Sequence, residues 1–216
     1  QADARYTLGE TYISELQQKA EAAAEAEAKA KEALASGMTS MRNMPQIAPP
    51  GQAEAEAAAR DALRKQALDN MCAGVAIGLD LKDDLIVQNG CIYVLNYNRS
   101  LLRAGDYTPL LSSLKVCVEA LQKCDQEAMK RDIQQLRIVA ATATALALGL
   151  EQIASTPPPP GSVSVPRTHD PKEPEQAAAL KEAVDACKWA CELCTGHPSV
   201  KRQLTACWAR LQAYAG

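Results

Sequence analysis

Cys187, Cys191 and Cys194 stand at Cys-x3-Cys-x2-Cys spacing, with His197 and Cys207 following. Thiolates and imidazoles are ligands for zinc and for iron–sulfur clusters, so a metal centre is the first chemistry to weigh. On a loop three such sulfurs could converge. On a helix they cannot. Sulfurs bound to one tetrahedral zinc lie no more than about 3.8 Å apart, given Zn–S bonds of about 2.3 Å. Cys187 and Cys194 would be separated by roughly 10 Å of helical rise. The neighbouring residues favour the helix, because Leu180, Val184, Cys187, Cys191 and Cys194 recur at intervals of four, three, four and three. That is one face of an α-helix. Only two of these cysteines could share an ion with His197 and Cys207, and the trio is read as small apolar core residues. A metal- or redox-responsive helical module built on Cys187, Cys191, Cys194 and Cys207 is the alternative.

Other chemistries have less to draw on. Neither a Walker-type phosphate loop nor a dinucleotide fingerprint is present. The two histidines are His169, within a Pro-rich stretch, and His197, which precedes Pro198 and suits the turn before a helix. A Ser/His/Asp or Cys/His site therefore has few components. Asp83 and Asp84 fit a helix start, where carboxylates meet the positive end of the helix dipole, better than an acid–base pair. The expectation is a protein that is not an enzyme and has no cofactor, metal or small-molecule substrate.

The elements around these residues are helical hairpins. Three further ladders share the spacing: Val87, Cys91, Val94, Asn98, Leu101; Leu110, Leu114, Cys117, Leu121, Cys124; and Val200, Leu204, Cys207, Leu211, Tyr214. They come in consecutive pairs joined by short connections, which predicts antiparallel hairpins. Five regions follow. Residues 1–37 read as a long Ala/Glu/Lys-rich helix, with little apolar surface to anchor it after Leu16. Residues 38–51 form a connector with Pro45, Pro49, Pro50 and Met38, Met41, Met44 at threefold spacing. A hairpin array occupies 52–154, with helices at 52–81, 83–103, about 109–124 and 126–154. Thr108 is placed to cap the third of these, with Pro109 at its first position. Residues 155–174 carry seven prolines and no helical period, a flexible polyproline-like loop. A last hairpin spans 175–216, where Trp208, Leu211 and Tyr214 approach the C-terminus with no polar capping helix beyond them. Those three are the candidate partner-binding residues.

Composition agrees with an all-α chain. Phe is absent and aromatics are 4% of residues, so helices must approach closely through Ala, Leu, Val and Cys. A net charge of −3 without a basic patch argues against nucleic acid. The eight cysteines are read as reduced and cytosolic, since the chain is too long and too regularly helical for a secreted disulfide framework. The most apolar run, Ile138 to Leu150, is about half the length a membrane helix needs, so no transmembrane segment is expected. A chain that begins without Met, is helical almost at once and stops just past a helix predicts a segment of a longer polypeptide.

Gly105-Asp106-Tyr107 resembles the turn of a tetratricopeptide repeat. Leu110, Leu114 and Cys117 then fall at its second-helix positions, and Val94, Tyr97, Asn98 and Leu101 at its first-helix positions. The first helix lacks the repeat's Trp and Gly. The stretch Asn89 to Leu102 (NGCIYVLNYNRSLL) resembles helices of the very large cilia- and flagella-associated proteins, members 46 and 54. These are tetratricopeptide-like subunits of the axonemal central apparatus. The likeness covers about residues 67–124, and the Ala-rich helices and Pro-rich insertion suit a green-algal version. It implies an all-α, tetratricopeptide-like α-solenoid segment acting as a non-catalytic scaffold in the cilium or flagellum. Its partners would be other axonemal proteins in a large hetero-oligomer, met through helix faces, with a possible bearing on motility.

Overall fold

The computed structural model describes residues 3–12, 14, 18, 52–155 and 174–215, and no strand occurs among them. Residues 3–12 are helical and are termed α1. Then come α2 (Gln52–Leu81), α3 (Asp84–Tyr97), α4 (Arg99–Ala104), a 3-10 turn (Thr108–Leu110), α5 (Leu111–Lys123), α6 (Gln126–Arg131), α7 (Ile133–Ser155), α8 (Pro174–Leu193) and α9 (Pro198–Ala215). The expected connector at 38–51, the Pro-rich loop between Ser155 and Pro174, and most of the Ala/Glu/Lys stretch lie outside the described residues. Both expected hairpins form, as α3–α4 with α5 and as α8 with α9.

Local chemistry sets the boundaries. Asp83 caps α3, its carboxylate accepting from the N–H groups of Leu85 and Ile86 at 3.0 and 3.2 Å. Gly105, at φ 75°, closes α4: its N–H meets the Leu102 carbonyl while the Asp106 N–H reaches Leu101. This Schellman arrangement needs a left-handed residue, which glycine adopts without a Cβ penalty. Lys82 performs the same task after α2 at φ 54°, with Asp83 N–H on Gly78 O at 3.0 Å.

Three expectations need correction. The helix read across 83–103 breaks at Asn98, whose backbone leaves helical geometry (φ −108°, ψ 20°) while its buried amide donates to Val94 O at 2.8 Å. The helix read across 126–154 breaks at Asp132, whose extended backbone frees its carboxylate to accept from Gln134 N–H at 2.8 Å. Thr108 does not cap α5; it opens the 3-10 turn with Pro109 inside it, and α5 starts at Leu111. In the first two cases a short polar side chain bonding to nearby backbone outcompetes the continuing helix.

The principal described helices alternate in direction. Cys194 near the end of α8 donates to Leu136 O near the start of α7, so these two are antiparallel. Arg210 late in α9 meets Glu151 late in α7 at 2.6 Å, so those two are parallel. Each helix packs on the next in the chain and on the next but one: α2 on α3 and α5, α3 on α5 and α7, α7 on α8 and α9. Lys115 of α5 bridges to Glu182 of α8 at 2.6 Å, continuing the pattern. The ladder residues fill the interior. Val87, Cys91, Val94, Leu110, Leu114, Cys117, Leu121, Leu180, Cys187, Cys191, Cys194, Leu204, Cys207 and Leu211 are all buried.

α7 sits among five other helices and buries Leu136, Val139, Ala143, Leu146, Ala147 and Leu150. At 23 residues, with an 18-residue window of mean hydropathy 1.4, it is long and apolar enough to cross a membrane by length and composition. The shorter run read from the sequence understated it. More than half of that window (56%) is buried by neighbouring helices, which is where the apolar character is used.

α1 docks chiefly through Tyr6, with Arg5 also donating to Asn70 at 2.9 Å. Tyr6, 4% exposed, enters a slot between α2 and α3 and donates its hydroxyl to Ile86 O at 2.8 Å. Its ring lies 5.1 Å from that of Tyr93, which lies 5.9 Å from Tyr97. Tyr97 in turn donates to Glu10 of α1 at 2.8 Å. The slot exists because Gly74 and Gly90 have no Cβ: one added at Gly74 would lie 2.7 Å from Tyr6 Cδ1, and one at Gly90 would lie 2.5 Å from its hydroxyl.

Burial pushes the Tyr6 hydroxyl well above the ordinary tyrosine range. The bond to Glu10, then burial, pushes Tyr97 up to about 12. Both contacts need neutral phenols. Their contribution is complete below the unfolded value of about 10 and is lost as pH climbs through the folded values. Alkaline titration should therefore release α1 above about pH 10, read as lost amide protection at residues 3–12 before α7–α9 lose theirs. Gly74→Ala should release α1 at neutral pH by overfilling the slot, at a cost of about 1–3 kcal/mol. Retained protection of residues 3–12 in either case would refute this account of the docking. Lys82→Gly should raise stability by about 0.5–1 kcal/mol in denaturant melts, because glycine takes the left-handed turn unstrained.

Candidate partner-binding surface

α9 starts at a turn in which His197 N–H donates to Cys194 O at 2.9 Å and His197 O accepts from Val200 and Lys201. His197 is thus a turn residue, as its place before Pro198 suggests. Beyond it, Leu204, Cys207 and Leu211 face α7 and α8 and are buried, with Val200 half-buried at the start.

The three candidate residues divide. Leu211 is 0% exposed, so it is a core residue and cannot meet a partner; the ladder register carries it inward. Trp208 is half-buried against the core, and its buried indole Nε1 has no hydrogen-bond partner. Tyr214, 54% exposed, alone stands clear of the fold. Ile153, 40% exposed, lies near the end of the parallel helix α7, so the shared end of α7 and α9 carries two large exposed apolar side chains. Ile153 was legible in the sequence only as part of the α7 face.

The cysteine constellation resolves into one pair of thiols and two that lie apart. The Cys187 thiol hydrogen-bonds Cys207 across the α8–α9 interface. Cys191 lies beside Thr205, and Cys194 turns away toward Leu136 of α7. Among the described residues no three His, Cys, Asp or Glu side chains are grouped to hold a metal ion. All eight cysteines are free thiols, seven buried and Cys72 half-buried. Burial and, for Cys187, the bond to Cys207 push thiols up, Cys72 and Cys194 to about 11 and Cys124 to about 12. Such thiols stay protonated and are poor nucleophiles. The groove between α5 and α8, about 420 Å³, is crossed by the Lys115–Glu182 pair and otherwise lined by residues such as Gln122, Lys181 and Asp185.

The class that the fold and this surface define is an all-α, repeat-like helical protein. Comparison with protein-family models, with curated proteins and with solved structures gives no match in any of the three.

Leu211→Asp should unfold the α8–α9 hairpin, at a cost of about 3–5 kcal/mol for a charge placed in an apolar core. Tyr214→Asp should change stability by less than about 0.5 kcal/mol. Circular dichroism melts of the two variants check both statements.

Proposed function

We propose that this chain is a non-catalytic scaffold segment of the ciliary or flagellar axoneme, a tetratricopeptide-like α-solenoid portion of a central-apparatus projection. It presents helix faces to neighbouring subunits in a large hetero-oligomer and so supports the regulation of beating. The observation that carries this reading is the packing of each helix on the next and the next but one. Such an array has two ends where an apolar helix face continues past its last neighbour. Where α7 and α9 end together, Ile153 and Tyr214 are exposed, and Trp208 of the terminal helix α9 is half-buried. The resemblance of Asn89 to Leu102 supplies the cellular setting, and the left-handed Gly105 between α4 and α5 suits a repeat turn. The break at Asn98 departs from a continuous first helix of such a repeat.

Immobilised protein should capture central-apparatus components from an axonemal extract. Capture should fall about tenfold in the Ile153→Asp, Tyr214→Asp double variant while its circular dichroism is unchanged. Equal capture from axonemes that lack the central apparatus, or none above an unrelated helical protein, would overturn the proposal.

A further inference from the structure

Two of the helix–helix interfaces place thiol against thiol. Cys91 of α3 and Cys117 of α5 hydrogen-bond side chain to side chain in the interior, and the Cys91 thiol also points at Cys117 O at 3.9 Å. Both are 0% exposed. Cys187 of α8 and Cys207 of α9 make the second contact, and it differs from the first in three ways. It lies between the last two described helices, where α9 packs on α7 and α8 and has no further described helix to cover it. Such a terminal helix opens locally more easily than an interior one. Cys207 is 6% exposed. And Arg210, one turn along α9 and paired with Glu151 at 2.6 Å, supplies a positive charge beside Cys207.

We propose that Cys187 and Cys207 are a redox modification site, oxidised by a hydroperoxide to an intramolecular disulfide that staples α8 to α9. Cys207 is the attacking sulfur. The Cys187 S–H donates to it and, with a smaller effect of Arg210, lowers the Cys207 thiol against the opposing effects of burial and of the Glu151 carboxylate paired with Arg210, while Cys187 itself is pushed up. In the first step the Cys207 thiolate attacks one peroxide oxygen. An S–O bond forms, the O–O bond breaks, and the other oxygen leaves as alkoxide or hydroxide and takes up a proton. In the second step α9 opens locally, the bond that raised Cys187 is gone now that Cys207 is oxidised, and Cys187 attacks the sulfenic sulfur, its proton passing to the departing hydroxyl. The S–S bond forms, the S–O bond breaks and water leaves. The sulfur pair loses two electrons and the peroxide gains them. The two thiols face each other across packed antiparallel helices, the arrangement from which a disulfide of about 2.05 Å can close. Cys91 and Cys117 serve as an internal control: a second facing pair, but without exposure and, for Cys117, pushed well up by the Cys91 bond and burial.

The inference does not rest on the scaffold reading. The test treats the full chain, reduced and freed of reductant, with hydrogen peroxide, alkylates the remaining thiols and maps a non-reduced digest by mass spectrometry. The expected result is a Cys187–Cys207 cross-link with Cys91 and Cys117 still alkylated. The melting temperature should rise by roughly 5 °C, reversibly on adding dithiothreitol. Cys207→Ser should abolish the rise and leave the reduced protein's circular dichroism unchanged. The mapping on the unaltered chain decides the matter even if that variant folds poorly. Oxidation of Cys91–Cys117 or Cys72 first, over-oxidation of Cys207 without a cross-link, or thiols that all remain alkylatable would each overturn the proposal.

Discussion

The fold depends on the close approach of other helices to α7. Its middle alternates Ala140, Ala143, Ala145 and Ala147 with Leu146 and Leu150, so buried positions occur on several sides of the helix. Small side chains let α5, α8 and α9 come near together, and the leucines fill the space between them. A helix buried on one face could lose a neighbour and stay folded with its partner. A helix buried on several faces couples α2–α5 on one side to α8–α9 on the other through a single core, to which the described ladders all belong.

Polar contacts then fix how the other helices lie on α7. Gln152, near its end, donates to Gly105 O and accepts from Tyr107 N–H at 3.4 Å, pinning the α4–α5 turn to it. Trp189 of α8 donates to Gln126 of α6 at 3.2 Å. The Asp125 N–H meets the Asp84 carboxylate at 2.8 Å, tying the start of α6 to the start of α3. Exposed ion pairs such as Lys130–Glu127 add little by comparison.

Much of this was legible from residue spacing. The bounds of α2, a helix start at Asp83 and Asp84, both hairpins and the inward direction of most of the four ladders follow from periodicity and the helix dipole, because apolar residues at helical spacing have to find a core. What escaped were choices made by single side chains. Asn98 occupies a ladder position, so its register concealed the break. Asp132 is followed three residues later by Gln135, a capping-box spacing that signals a helix start, but the apolar ladder running through it read as continuous. The slot for Tyr6 depends on residues far apart in the chain, and its only local sign was glycine at Gly74 and Gly90 inside helices. On the candidate surface, spacing placed Trp208, Leu211 and Tyr214 on one helix correctly. It could not show that Leu211 ends inside while Tyr214 has run past its neighbours.

The apolar character of α7 has a bearing on how the chain is made. Its partners lie on both sides of it in sequence, and α8 and α9 leave the ribosome only after a further stretch of chain. Until then, a nascent helix with the hydropathy of a bilayer span shows half its surface to the translation machinery, including the factors that sort apolar segments to membranes. Synthesis of α8 is the event that hides it. A ribosome stalled between Ser155 and Pro174 would hold a polypeptide whose α2–α6 portion is ready to fold and whose longest apolar helix still needs a chaperone.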